Sequence, residues 1–152
     1  MSIEYSDGDI FESGCQALVC PVNCVGIAGA GLAKKFKEQF PQWFYDYREA
    51  CNRKHVQPGQ VWAYGYTSWH AMVFFSFPTK YHWKNPSLMP YVSNGLADLA
   101  EKLRTTHPVK SVAVPALGCG LGGLTWEEVK PLIEKYLGDL DCRVVVFPPK
   151  GE

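Results

Sequence analysis

Two stretches of this chain hold residues whose types and spacing suit chemistry on a phosphorylated ligand. The first is Ser111–Trp126, SVAVPALGCGLGGLTW. A short β-type run enters a turn containing Gly118, Gly120, Gly122 and Gly123. It leaves through Thr125-Trp126-Glu127-Glu128, a capping-box pattern that starts a helix. Strand, glycine turn and helix N-terminus is the order that a diphosphate-holding loop needs. Glycine admits a close ligand, and free N–H groups with the helix dipole attract the anion. The spacing is neither GxGxxG nor GxxxxGK[ST], so on its own it reads equally well as a turn rich in glycine for packing. Cys119 inside it reads as a small buried side chain rather than a nucleophile, because no histidine pairs with it in sequence. The second stretch is Pro78–Pro86, PTKYHWKNP, dense in aromatic and cationic side chains. Tyr81 and Trp83 have faces on which an unpaired base stacks, or that pack the loop onto the core. His82 can stack, donate a proton or hold a phosphate, though a lone loop histidine is more often just partly exposed. Lys80 by base rate is a solvated loop lysine.

Elements must hold these stretches in place. Ile3–Ser6 alternates and is predicted as a short strand; Asp7-Gly8-Asp9 then turns the chain, with Asp9 as a cap or turn former. Ala17–Pro21 is a compact apolar run, predicted as a buried strand. It enters another glycine-rich loop, Val22–Gly31, where Asn23 suits a turn. A helix follows, with Leu32, Ala33, Phe36 and Phe40 as its apolar face and Lys34, Lys35, Lys37 and Glu38 toward water. Pro41 ends it, and Trp43–Cys51 is predicted as a further helical stretch. Val61–Tyr66 and Ala71–Phe77 are predicted strands joined at Thr67-Ser68-Trp69-His70 as a hairpin. Leu88, Val92, Leu96, Leu99 and Leu103 give the clearest helical stripe, and Pro108 closes that segment. Thr125–Leu137 is the last helix, and Arg143–Phe147 is a last strand stopped by Pro148-Pro149. Alternating helices and strands favour parallel pairing and the hairpin adds an antiparallel pair, giving an α/β sandwich of helices around a mixed sheet. Both glycine loops then follow strands at one sheet edge, the carboxyl edge, where such sheets bind ligands.

The 152 residues suffice for one domain, with no repeat, linker or low-complexity segment, so 1–152 reads as a single unit. Net charge is zero, which argues against affinity built mainly on duplex phosphate neutralisation but leaves a local nucleic-acid patch open. No apolar run approaches the roughly 20 residues of a membrane span. The start, MSIEYSDGDIF, lacks the apolar region of an export signal. The expectation is a cytoplasmic protein with no membrane. The six cysteines, Cys15, Cys20, Cys24, Cys51, Cys119 and Cys142, are scattered and read as reduced thiols. Cys20-x-x-x-Cys24 has no nearby histidine, so no zinc is expected, and no cofactor.

Three stretches, ALVCPVNCVGIAGAGLAKKFKEQFP, FPTKYHW and PALGCGLGGLTWEEV, together with Gly8-Asp9-Ile10 after the first strand, carry a resemblance to the macrodomain family, which binds ADP-ribose. It covers Ile3 to Phe147. The chain is most similar to the branch that holds the DarG antitoxin macrodomains and the terminal ADP-ribose protein glycohydrolase. The resemblance implies a three-layer α/β/α sandwich. It implies that Asp9 and the Ile10 N–H read the adenine, with Phe147 beside it. Gly26, Ile27, Gly29 and Gly31 would cradle one phosphate and frame the distal ribose. Leu117, Gly118, Cys119, Gly120, Leu121 and Gly122 would wrap the diphosphate from the other side. Asn23 matches the second asparagine of the family's VNxxN stretch and would contact the distal ribose, and Lys80 matches the branch's catalytic lysine. Two departures stand out. Cys20 replaces the first asparagine of VNxxN. Gly122 stands where the human glycohydrolase has a catalytic aspartate, which sides with DarG and puts an acid-assisted two-step mechanism in doubt.

The implied chemistry is cleavage at the anomeric carbon of the distal ribose through an oxocarbenium-like state. Rigid holding of the diphosphate positions that carbon. A lysine serves when burial or a neighbouring cation lowers its pKa, and His82 and Lys84 stand two and four positions from Lys80. The reading is an ADP-ribosyl glycohydrolase that frees a DNA base, implied to be thymine, from ADP-ribose. Tyr81, His82 and Trp83 would form the substrate loop. The partners it implies are ADP-ribose, ADP-ribosylated single-stranded DNA and a DarT-like ADP-ribosyltransferase toxin. The alternatives are hydrolysis of protein-linked ADP-ribose or ADP-ribose 1″-phosphate, and an ADP-ribose reader without turnover.

Overall fold

The computed structural model describes residues 3–67 and 71–150. Among them, six strands form one sheet: β1 (Glu4–Tyr5), β2 (Ala17–Val22), β3 (Trp62–Thr67), β4 (Ala71–Pro78), β5 (Ser111–Pro115) and β6 (Arg143–Phe147). Their order is β1-β6-β5-β2-β4-β3. All neighbours pair in parallel except β3 and β4, which are antiparallel as the hairpin reading requires. The predicted joint at Ser68, Trp69 and His70 lies outside the described residues. The helices are α1 (Gly31–Gln39), α2 (Pro41–Asn52), α3 (Met89–Arg104) and α4 (Trp126–Leu137).

Side-chain alternation along the central strands sets the layers. Ala17, Val19, Phe75, Phe77, Val112, Val114, Val144 and Val146 join one buried cluster with the stripe of α3 and with Val129, Ile133 and Leu137 of α4. Leu18, Cys20, Val22, Phe74, Ala113, Val145 and Phe147 join the other, with Phe36 of α1 and Trp43 and Tyr47 of α2. This is the three-layer α/β/α sandwich expected. Each such large apolar side chain contributes about 1.5–3 kcal/mol by leaving water, so the sheet is fixed from both faces. Leu88 departs from the predicted stripe: it caps α3 and is exposed, because the helix starts one residue later. Gly95 in the middle of α3 is a packing requirement, since a Cβ there would sit 2.5 Å from the Phe77 ring.

β2, β4, β5 and β6 run parallel, so their carboxyl ends share one edge. Val22 pairs with Pro78, and Pro115 with Phe147, at those ends. Whatever follows these strands is therefore gathered along one line.

Candidate active site

The loop after β2 is organised by Asn23. This side chain is buried, at 6% exposure, and its Oδ1 accepts the N–H groups of Val25 (3.0 Å), Gly26 (3.1 Å) and Ile27 (3.4 Å). Its Nδ2 donates to the Ile27 carbonyl at 2.7 Å. Tyr47, from α2, donates its hydroxyl to the Asn23 carbonyl (2.8 Å) and approaches Oδ1 at 3.1 Å. Most of the amide's bonding capacity is thus spent inside the loop. Gly26 adopts φ 84° and Gly31 φ 60°, the left-handed region that glycine tolerates. α1 then begins with no side-chain cap and no acidic residue in its first turn, so its free N–H groups and dipole are open to an anion.

The loop after β5 is held differently. Gly118, Gly120 and Gly123 take φ of 76°, 71° and 89°. Leu124 N–H returns to the Gly118 carbonyl at 2.9 Å, and a short turn runs from Gly120 to Gly122. The helix that follows starts with the capping box read from the sequence, which occupies its N-terminus from within the chain. Thr125 Oγ1 accepts the Glu128 N–H (3.3 Å) and Glu128 Oε1 accepts the Thr125 N–H (3.1 Å). With Glu127 also in that turn, the dipole of α4 is already satisfied by carboxylates. The open helix end at this edge is that of α1. The two loops meet: a Cβ at Gly31 would lie 3.4 Å from Leu121 Cδ1. Leu121 and Ile27 are exposed aliphatics, at 76% and 46%, on the facing loops.

Lys80 lies two residues beyond β4 and is half-buried. Its segment is stitched to the first loop, with Cys24 N–H donating to the Tyr81 carbonyl at 2.7 Å and Thr79 N–H to the Val22 carbonyl at 3.1 Å. Beyond it His82 stacks on Trp83 at 5.7 Å, and Lys84 Nζ lies 5.3 Å from the Trp83 ring. Trp83 remains 48% exposed and Tyr81 37%, so neither packs fully onto the core. At the other end of the line, Asp9 caps the turn Ile10–Glu12 by accepting the Phe11 N–H at 2.9 Å. Ile10 is buried, and Asp9 and Phe147 line a recess of about 550 Å³ with Glu4, Tyr5 and Arg143.

The model of the Macro domain matches residues 19–133. The chain belongs to the macro domain family. This macrodomain is 39% identical over 151 residues to a DNA ADP-ribosyl glycohydrolase of Mycobacterium tuberculosis, covering 98% of its own length and 43% of that protein. It thus spans less than half of such curated relatives. The solved macrodomain of Mycobacterium tuberculosis DarG superposes with a TM-score of 0.93, covering 97% of this chain and 98% of that one. Thermosipho africanus DarTG in complex with ADP-ribose superposes with a TM-score of 0.93 at 39% identity, over 97% of this chain and 42% of that one.

Among the described residues of the macrodomain no group of His, Cys, Asp and Glu is placed to hold a metal, and no helix is long and apolar enough to cross a membrane. The thiols are quiet. Burial, then Glu128 and Glu127, pushes Cys119 up to about 11. Burial, then Cys51, pushes Cys24 up to about 12. Cys20 is pushed well up by burial alone. A thiol held protonated is a poor nucleophile. Sequence reasoning missed Tyr47, Thr79 and Ser87. Tyr47 had a signal, its place on the buried face of α2; the polar Thr79 and Ser87 had none beyond their nearness to Lys80.

Proposed function

We propose that this macrodomain removes ADP-ribose from a modified base of single-stranded DNA, thymine by the resemblance. The observation that carries the reading is the line of loops along the carboxyl edge, which follows the strand order β6-β5-β2-β4. In that order stand the Asp9–Phe147 recess, the Leu117–Gly123 loop, the Asn23–Gly31 loop and Lys80. Adenine, diphosphate, distal ribose and leaving group follow one another in the same order along the ligand. The relatives named as DNA ADP-ribosyl glycohydrolases, at 38–40% identity, support the same chemistry.

In this reading the loop N–H groups and the open end of α1 hold the diphosphate, so binding energy fixes the distal ribose. Asn23 orients that ribose through the loop it braces. The bond between the anomeric carbon and the base nitrogen breaks through an oxocarbenium-like state, and its electron pair leaves with the base. Lys80 Nζ delivers a proton to the departing base. Water adds to the anomeric carbon, and its proton returns to the amine. Tyr81, His82 and Trp83 hold the base or its neighbour by stacking. A transferase that attaches ADP-ribose to DNA is the partner chemistry, as in the Thermosipho africanus protein named as a transferase–glycohydrolase fusion.

The test incubates the protein and its Lys80→Ala variant with ADP-ribosylated single-stranded DNA, glutamate-ADP-ribosylated protein and ADP-ribose 1″-phosphate. Release of ADP-ribose from the DNA alone, lost in the variant, is the expected result. Turnover of only another substrate refutes the DNA reading. Binding of ADP-ribose without any turnover refutes the enzyme. Trp83→Ala is expected to harm DNA turnover while leaving ADP-ribose affinity unchanged; equal effects on both refute the base contact.

A further inference from the structure

Two buried polar side chains at the carboxyl edge have no part in that scheme. Thr79 and Ser87 are each 4% exposed, with Ser87 set against Gly118 and Gly122 of the second glycine loop. Ser87 Oγ donates to Thr79 Oγ1 at 3.0 Å. The backbone of the pair reaches three ways. Thr79 N–H donates to the Val22 carbonyl at the root of the first glycine loop (3.1 Å), and the Thr79 carbonyl accepts the Leu88 N–H at the start of α3 (3.0 Å). Ser87 N–H donates to the Gly122 carbonyl in the second glycine loop at 2.9 Å. Ser87 also fills the space that side chains at Gly118 and Gly122 would need: its Cβ lies 3.2 Å and 3.0 Å from those built Cβ positions. Lys80 is one peptide bond from this knot.

We propose that Thr79 and Ser87 are positioning residues, which fix the Lys80 segment against both ligand loops so that Nζ and the diphosphate share one frame. The proposal rests on reading Lys80 as the acting group. A filler of the same volume needs no hydroxyls, whereas a buried hydroxyl pair holds two chain segments in one register because its bond is directional. Misplacing an acting group by about 1 Å costs on the order of 100-fold in rate. Ligand affinity depends on the loops and changes little.

The test uses Thr79→Val, which keeps the shape and removes the acceptor, and Ser87→Ala, which keeps the Ser87 N–H bond and removes the donor. Thr79→Ser is the conservative rescue. Single-turnover cleavage of ADP-ribosylated DNA is expected to slow by about tenfold or more in the first two, with ADP-ribose affinity within about threefold and Thr79→Ser close to the parent. Amide hydrogen exchange by mass spectrometry reads the same variants without any turnover. Exchange is expected to quicken in the peptides covering 79–88 and 116–124 and nowhere else. Unchanged exchange there overturns the proposal, as does a rate loss matched by an equal affinity loss or by protection lost across the whole chain. If the parent protein cleaves no substrate, or Lys80→Ala still cleaves, the functional reading fails, while the exchange measurement still decides whether the pair locks the loops.

Discussion

Replacing Gly122 by alanine is a single-methyl perturbation whose cost follows from the structure. Gly122 is not in the left-handed region, so alanine meets no backbone strain there. Space is the obstacle: a built Cβ lies 2.3 Å from Ser87 Oγ and 3.0 Å from Ser87 Cβ. Rotating the Ser87 hydroxyl away breaks its 3.0 Å bond to Thr79 and still leaves the two carbons too close. Overpacking costs about 1–3 kcal/mol and the lost hydrogen bond about 1 kcal/mol. Against this, alanine restricts the unfolded chain for a gain of about 0.4–1 kcal/mol. The expected net loss is about 2 kcal/mol, or roughly 4–8 °C in Tm for a domain of this size. Ser87→Gly removes both obstructing atoms, so the two changes together should cost less than their sum by about 1–2 kcal/mol. Urea denaturation of the four proteins measures this directly. Refutation would be a Gly122→Ala protein within about 0.5 kcal/mol of the parent, or a double variant whose loss is simply additive. The same geometry bears on chemistry. An aspartate at this position, as in the human glycohydrolase, has no room beside Ser87, so Gly122→Asp is not expected to add an acid to the site.

Other expectations follow from the loops and thiols. Asn23→Ala leaves the N–H groups of Val25, Gly26 and Ile27 without their acceptor and should cost about 2 kcal/mol or more; Tyr47→Phe should cost about 1 kcal/mol. Both are read by urea denaturation, with ADP-ribose titration reporting the weakened loop. Thr125→Ala removes an N-cap worth about 1 kcal/mol, yet should leave ADP-ribose affinity unchanged, because that helix end is satisfied internally; a matching loss of affinity in a titration would mean that α4 does face the ligand. Alkaline stability should fall. Unfolded thiols ionise near 9.0, while burial holds folded Cys51 and Cys119 to about 11 and Cys24 to about 12. Stability from these groups is complete below pH 9 and declines as pH rises through 11, by up to about 1.4 kcal/mol per pH unit for each thiol. Urea midpoints between pH 8 and 10.5 should drop, and Cys51→Ala should flatten the slope.

How much of this was legible in the sequence depended on the range of the interaction. The strands and helices were readable because each carries its own period: Val92, Leu96, Leu99 and Leu103 sit on one face of α3, and Thr125 with Glu128 writes its cap in four letters. The glycine loops were readable as loops, since positive φ at Gly26, Gly118 and Gly123 needs that residue type. What each helix end does was not readable. Capping box and anion site share a pattern, and only the bonds between Thr125 and Glu128 decide that α4 is closed while α1 is open. Asn23 shows the same limit. Its type suited a turn or a ligand contact, and the hydroxyl that helps to brace it comes from Tyr47, twenty-four positions away on another element.

The edge of the sheet therefore divides its labour in a way that local sequence cannot express. The first loop is braced from within, by one amide that gathers consecutive N–H groups and leaves the helix end free. The second loop has no such side chain. Its glycines are held from outside by Ser87, which reaches it from beyond the Lys80 segment. Lys80 is thus tied to both loops by different means: to the first through Cys24 and Val22, and to the second through Thr79 and Ser87. A ligand gripping either loop bears on the same strand end. In the proposed reaction, rigid holding of a diphosphate by these loops places the ribose carbon relative to Lys80, which is what cleavage driven by remote binding energy requires.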